Sequence, residues 1–338
     1  MGIWFSLLAL AALTLLGLIG ANVPGLNYVF AVVIPYIAII LFIVGIIVRI
    51  VKWARSPVPF RIPTTGGQQK SLSFIRQNRL DNPSSYLGLL GRMALEVLFF
   101  RSLFRNTKAE LKEGPLLTYG ANKWLWLFSM AFHWSFLVIF LRHFRFFTNP
   151  IPFFVPYLQD IDGFFQIWVP LIYITDALIV IALSYLFLRR VLDLKVRYIS
   201  LPSDYFPLLL IGGIAITGIL MRYFFKTDLV AVKELMLGIL SFSPSAPAVG
   251  LSTWFYLHLF FVCSLLIYFP MSKLVHLTGI FMSPTRNLAN TNRMERHVNP
   301  WIADLKMKTH TYDEYEDEFR TVMKGAGLPL DKEESHVS

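Results

Sequence analysis

The sequence predicts an all-α integral membrane protein with six transmembrane helices. Three observations carry this. The 338 residues are 55% hydrophobic and 15% charged, with a mean hydropathy of +0.56, which leaves too little polar surface for a soluble globule. Apolar runs of roughly 20 residues, the length that crosses about 30 Å of hydrocarbon, recur six times. The segments between them alternate between rich and poor in basic residues. A spanning segment must satisfy its own backbone groups, so each run is read as a helix.

The runs lie at about 3–22, 27–48, 124–147, 166–188, 205–222 and 252–275. Residues 52–123 hold twelve Lys or Arg, 189–204 four, and 273 onward nine, whereas 142–165 carries two, 222–250 three and the link 23–26 none. By the positive-inside rule the chain is a multi-pass protein of the cytoplasmic membrane with both termini cytoplasmic. The first run lacks a basic n-region and leads straight into the second, so it reads as an uncleaved anchor. The net charge of +10 sits mostly in the cytoplasmic segments, where membrane lipid and insertion bias account for it, and nucleic acid is not expected as a partner. The single cysteine, Cys263, excludes an intrachain disulfide, a cysteine-ligated iron–sulfur cluster and covalent haem attachment.

Along the chain, 1–26 is an extra N-terminal helix and 27–51 a second. No ionisable residue precedes Arg49, and the two helices read as structural. Residues 52–123 form a cytoplasmic or interfacial segment. Pro57, Pro59, Pro63, Gly66 and Gly67 make its beginning extended. From Tyr86 to Phe104 an apolar pattern is broken by Arg92, Glu96, Arg101 and Arg105, which suits a helix lying in the interface or docked against a cytoplasmic subunit. Residues 124–279 hold four spans. The third span of the chain carries His133 and His143, the fourth Asp176 deep in apolar sequence, and the sixth His258 and His276. Gly212, Gly213 and Gly218 in the fifth let a neighbouring helix or a flat cofactor approach closely. Residues 280–338, with an acidic run from Asp313 to Glu318, read as a cytoplasmic docking tail.

Four intramembrane histidines confined to two helices point to metal ligation, because such residues are costly in a bilayer. Two neutral imidazoles on one haem iron give a site suited to electron transfer. The third and sixth spans are antiparallel, so topology pairs His143 with His258 at an outer haem b and His133 with His276 at an inner one. The eighteen-residue step from His258 to His276 is five turns of one continuous helix, about 27 Å. The ten-residue step from His133 to His143 gives only about 15 Å, and about 80° off a common face. The difference requires tilt, a helix irregularity, or a His276 at the very end of its span. Arg142, Arg145 and Arg222 are candidates for the outer haem propionates and Lys273, with Lys123, for the inner; each also serves as a snorkelling anchor. Asp176 suits a proton acceptor at a quinone site or a salt bridge to a neighbouring helix.

With these residues in place, 27–301 resembles the five-helix dihaem cytochrome b subunits of respiratory nitrate reductase, of the gamma-subunit type, and the related membrane subunit of heterodisulfide reductase. The tail Ser283-Pro284-Thr285-Arg286-Asn287-Leu288-Ala289-Asn290 and Met294-Glu295-Arg296-His297-Val298-Asn299-Pro300-Trp301 resembles more closely the DsrM family, the cytochrome b subunits of the membrane complex of dissimilatory sulfite reduction. The first helix and the long 52–123 segment are additions to the simpler pattern. The resemblance implies a five-helix dihaem bundle preceded by one extra helix, carrying electrons between menaquinol and a cytoplasmic iron–sulfur subunit of the heterodisulfide reductase type. It further implies a periplasmic multihaem cytochrome c, a periplasmic iron–sulfur protein and a second quinone-interacting membrane subunit as partners, with the quinone beside the outer haem near Arg142, Arg145 and Asp176. Two other readings compete. A proton-relaying transporter would show repeats or paired half-helices, and none is visible; a bare membrane anchor leaves the four histidines without a purpose.

Overall fold

The computed structural model describes residues 2–56, 70, 73–105, 108–165, 170–244, 251–290 and 310–331. The proline- and glycine-rich stretch 57–69 and the motif at 294–301 lie outside the described residues. Thirteen helices and one hairpin are used here: α1 (Gly2–Asn22), α2 (Leu26–Ala54), α3 (Tyr86–Phe99), α4 (Arg101–Phe104), β1 (Lys108–Lys112), β2 (Leu116–Gly120), α5 (Lys123–His143), α6 (Phe154–Asp162), α7 (Ile174–Leu192), α8 (Leu194–Ile199), α9 (Pro202–Tyr223), α10 (Leu229–Leu240), α11 (Thr253–Tyr268), α12 (His276–Met282) and α13 (Tyr312–Gly325). The architecture is that of a mostly helical, multi-pass membrane protein.

Local chemistry starts the helices where the sequence permits it. The Asn122 side chain accepts from Leu125 N–H (3.4 Å) at the start of α5, and Ser252 Oγ accepts from Phe255 N–H (3.3 Å) at the start of α11, each satisfying a donor with no partner inside the helix. Pro202 opens α9, where its missing N–H costs nothing. The α1–α2 turn is made by Gly25 at φ 86°, a conformation that favours glycine. In the bundle α5 lies along α7, α7 along α9, and α9 along α11, while α1 packs on both α9 and α11 and α2 closes on α11.

Among the described residues five helices, α1, α2, α5, α9 and α11 with its extension, are long and apolar enough to cross a membrane. The fourth expected run differs. It was placed at 166–188, but α7 runs Ile174–Leu192 and includes Asp176, Arg189 and Arg190. Its start is fixed by Asp162, whose carboxylate accepts from Thr175 N–H (2.8 Å) after an extended Tyr173. Asp176 therefore stands in the first turn and not deep in the span.

The sixth expected run is interrupted. The helix ends at Tyr268, a short 3-10 turn holds Pro270, and Ser272 is extended at φ −102°, ψ 177° before a second 3-10 turn leads into α12. Proline has no N–H to continue the ladder. Gly45 of α2 meets this break so closely that a Cβ there would lie 2.7 Å from Pro270 Cβ. The two histidines of the run thus occupy separate helices.

Among the elements without a counterpart in the sequence reading are the exposed hairpin β1–β2 and the helices α6 and α10. Helix α10 belongs to the core. Its Val232, Leu235, Met236 and Ile239 join Ala31 and Val32 of α2 and Phe255 and Tyr256 of α11 in one buried cluster, and Tyr36 Oη donates to the Ile239 carbonyl (2.9 Å). Ala31 and Val32 lie in a π-helical turn, Val29–Val33.

Candidate functional site

The two histidine-bearing helices are not close-packed neighbours. Helix α5 packs on α7, and α11 on α9, α1 and α2, so side chains bridge the interval. The imidazoles of His143 and His258 face each other with ring centres 6.4 Å apart and planes 11° apart. Those of His133 and His276 are 6.0 Å apart with planes at 75°. The rings that antiparallel topology would bring together thus lie near one another.

Each ring is anchored through the same nitrogen. The Nδ1–H groups of His133 and His143 donate to the carbonyls of Ser129 and Ile139, both at 2.7 Å. His276 Nδ1–H donates to the Lys273 carbonyl (2.9 Å). His258 Nδ1–H lies 3.1 Å from the Ile214 carbonyl and 3.0 Å from Thr217 Oγ1, whose own proton goes to the Gly213 carbonyl (2.8 Å). A carbonyl can only accept, so Nδ1 carries the proton and Nε2 keeps its lone pair, the tautomer of a metal-ligating histidine held by an outer partner.

The separations fit one metal per pair. An imidazole nitrogen binds a first-row metal at about 2 Å, and adding about 1.1 Å from nitrogen to ring centre puts two trans imidazoles about 6.2 Å apart. The pairs at 6.0 and 6.4 Å bracket that value. Among the described residues no three His, Cys, Asp or Glu side chains gather as a metal cage; two imidazoles per metal suit an iron whose other ligands come from a porphyrin. Gly218 contributes room, since a Cβ there would stand 3.4 Å from His258 Cε1. Phe132 and Phe100 pack edge-on against the His133 ring at 5.0 and 4.9 Å, and Phe146 lies 6.0 Å from His143.

The break at Pro270 accounts for the unequal spacings. His276 does not lie five straight turns from His258; it opens α12 beyond the 3-10 turns. Of the tilt, the helix irregularity and the end-of-span His276 that the unequal steps allow, the irregularity is present on this run.

The charged candidates sort differently from expectation. Arg142 is buried in a cluster: its NH1 is 3.0 Å from Asp162 Oδ2, its NH2 3.2 Å from Asp176 Oδ1, and NH2 also donates to Thr175 Oγ1 (3.2 Å). Of the two roles open to Asp176, the salt bridge is the one seen, and Tyr223 Oη donates to its other oxygen (2.8 Å). The guanidinium carbons of Arg142 and Arg222 lie 3.8 and 3.9 Å from the Tyr173 ring centre, and Arg222 donates to the Leu171 carbonyl (3.1 Å). Arg145 sits in the 3-10 turn directly after His143. Lys273 is paired with Asp204 (2.7 Å) at the opposite, basic end of the bundle.

Sequence reasoning missed Asp162, Thr217 and Phe100. Asp162 had a signal, an acid within the segment 142–165 that carries only two cations. Thr217 and Phe100 had none, because their partners are distant in sequence.

A family model described as nitrate reductase gamma subunit matches residues 115–297, more than half of the chain. The "Hdr-like menaquinol oxidoreductase cytochrome b-like subunit" of Archaeoglobus fulgidus is 46% identical over 282 residues, covering 82% of this chain and 84% of its own. The protein of the same description from Archaeoglobus profundus is 44% identical over 277 residues, covering 79% and 81%. With the four histidines paired as they are, and with this identity over most of both chains, the protein belongs to the nitrate reductase gamma subunit family and is a relative of these cytochrome b-like subunits.

Proposed function

We propose that this chain is the membrane cytochrome b subunit of a menaquinol oxidoreductase complex and carries electrons between menaquinol and a cytoplasmic iron–sulfur partner of the heterodisulfide reductase type. The observation that carries the reading is the pair of imidazole pairs at 6.0 and 6.4 Å, all four rings anchored through Nδ1. A b haem held by each pair supplies one-electron redox chemistry without exposing an open iron position.

The chain's own residues do the rest. His143 and His258 hold the group at the end of the bundle opposite Lys273, and His133 and His276 the one at the basic end, which the positive-inside rule makes cytoplasmic. Quinol oxidation is assigned to the His143/His258 end. There Tyr223 Oη and the Asp176 carboxylate, 2.8 Å apart, form a hydrogen-bonded route by which a proton can leave, while Arg142 holds Asp176 and Asp162 in place. Arg145 and Arg222 are the cations assigned to the propionates at that end. The resemblance of 283–301 assigns the complex to sulfur respiration, with the periplasmic multihaem cytochrome c, the periplasmic iron–sulfur protein and the second quinone-interacting subunit as its further partners.

A reduced-minus-oxidised optical spectrum of the purified protein tests the proposal. Two b haems per chain are expected. Substituting either His143 or His258 by alanine should remove the same haem, and either His133 or His276 the other. No b-type signal, or loss of different haems within a pair, overturns the reading.

A further inference from the structure

We propose that Phe100 is a positioning residue for His133 in the His133/His276 pair, and that the segment 86–104, clasped by 283–290, is the cover that shields the His133 side of this pair. This rests on the reading of that pair as axial ligands.

Four observations converge on Phe100. First, it joins α3 to α4 with φ 49° and ψ 44°, a left-handed conformation that a bulky side chain holds only when its surroundings impose it. Second, its ring packs edge-on against His133 at 4.9 Å and 78°. Together with Phe132 and the Nδ1 bond to Ser129 it fixes which way Nε2 points. Third, the end of α3 is tied to α5 on either side of this contact: Trp134 Nε1–H donates to the Leu98 carbonyl (3.2 Å) and Trp126 Nε1–H to the Phe99 carbonyl (2.7 Å). The Phe104 ring also lies 5.0 Å from that of Trp126.

The fourth observation is the way α3 faces. Its charged residues Arg92 and Glu96 are buried beside Leu89, while its apolar Leu87, Leu90 and Leu98 are exposed, so the inward face carries the charges that a helix on a water-soluble surface turns outward. The buried charges are used by the 283–290 stretch. Arg286 NH1 is 3.1 Å from Glu96 Oε2, Arg92 NH1 donates to the Thr285 carbonyl (3.3 Å), and Asn290 N–H donates to the Pro83 carbonyl (2.8 Å). Glu96 also accepts from Ser102 N–H (3.1 Å), on the far side of Phe100. The clasp and the bend that presents Phe100 are one network. His276, by contrast, is exposed on a short helix and brings no cover of its own.

Removing the ring frees His133 to turn and admits water, and water favours the more highly charged oxidised iron, so the potential of that one haem falls. The experiment is an optical redox titration with EPR on the full chain in its membrane, comparing Phe100→Gly, which suits the left-handed backbone, with Phe100→Tyr, which keeps the ring. In F100G one haem is expected to shift to lower potential with an altered low-spin signal, or to be lost, while the His143/His258 haem keeps its potential; F100Y stays close to the parent. Unchanged potentials and signals in F100G with both haems present overturn the inference, as does an equal shift of both haems. A parent protein without two b haems overturns the proposed function instead, and the two failures are told apart before any variant is made.

Discussion

Arg142→Leu is expected to destabilise the protein by about 3 kcal/mol, and the geometry sets the figure. The side chains of Arg142, Asp162 and Asp176 are 9%, 3% and 14% exposed, so the guanidinium is the counter-charge for two acids shielded from water. Removing one partner of a buried ion pair costs about 3–5 kcal/mol, because a charge is left without compensation. Here both acids keep other donors: Asp162 retains Thr175 N–H at 2.8 Å and Oγ1–H at 2.6 Å, and Asp176 retains Tyr223 Oη–H at 2.8 Å. That places the cost at the lower end. At about 2 °C per kcal/mol for a large domain, the thermal midpoint in detergent, followed by tryptophan fluorescence, should fall by about 6 °C. Neutralising the acids in the same background, as Arg142→Leu with Asp162→Asn and Asp176→Asn, should recover most of the loss. A single variant as stable as the parent, or a triple variant no better than the single, refutes the argument that charge compensation is what Arg142 supplies.

Four further outcomes follow from the same geometry. Gly45→Ala places a Cβ 2.7 Å from Pro270, an overpacking worth about 1–3 kcal/mol; since that break presents His276, haem assay should show loss from the His133/His276 pair and not from the other. Thr217→Val removes the hydroxyl beside His258 Nδ1 and should weaken haem retention at that pair by about tenfold, measured by haem titration. Imidazole planes at 11° and 75° should yield two distinguishable low-spin EPR signals. Parallel rings donate into one iron d orbital and split the pair, whereas perpendicular rings leave it nearly degenerate; identical spectra would contradict the geometry. Burial opposes ionisation of Asp81, but Arg101 and Arg105 outweigh it and hold its carboxyl below the usual value. Its stabilisation is therefore complete above about pH 4 and is lost as pH falls through the folded value. Proteolysis of 86–105 should stay slow from pH 7 to 5 and quicken only in stronger acid; loosening near pH 6 would disagree.

What could be read from the sequence depended on whether the deciding partner was near in the chain or fixed by topology. The apolar runs, and the pairing of His143 with His258 and His133 with His276, follow from length, alternation and antiparallel order, and the structure has the same pairs. The continuous helix through His276 failed at Pro270, although the proline was in plain view, because the period of an apolar run gives no warning of where a neighbour such as Gly45 presses. Asp176 was placed too deep for a related reason. The start of α7 is set by a carboxylate thirteen residues upstream, a contact no local pattern reveals. Helix α10 was passed over because the span it supports is also apolar, and only packing shows that its Leu235 and Ile239 are core.

The two pairs are built on different principles. His143 and His258 lie on α5 and on the part of α11 that precedes the break at Pro270, and their supports, Ile139, Ile214 and Thr217, belong to the packed bundle. Helix α1, which lies outside the 115–297 family match, is part of that support: it packs on α9 and α11, and a Cβ at Gly17 would come within 2.7 Å of Leu257, the residue before His258. The other pair joins one regular helix to a segment that begins after a helix break, and its remaining contacts come from 86–104, held in turn by 283–290. A pair secured by non-local pieces opens more readily than one secured by close-packed helices. Mild destabilisation of the whole protein should therefore release a group held by His133 and His276 before one held by His143 and His258, and that ordering suits the end to which the proposed function assigns the redox partner.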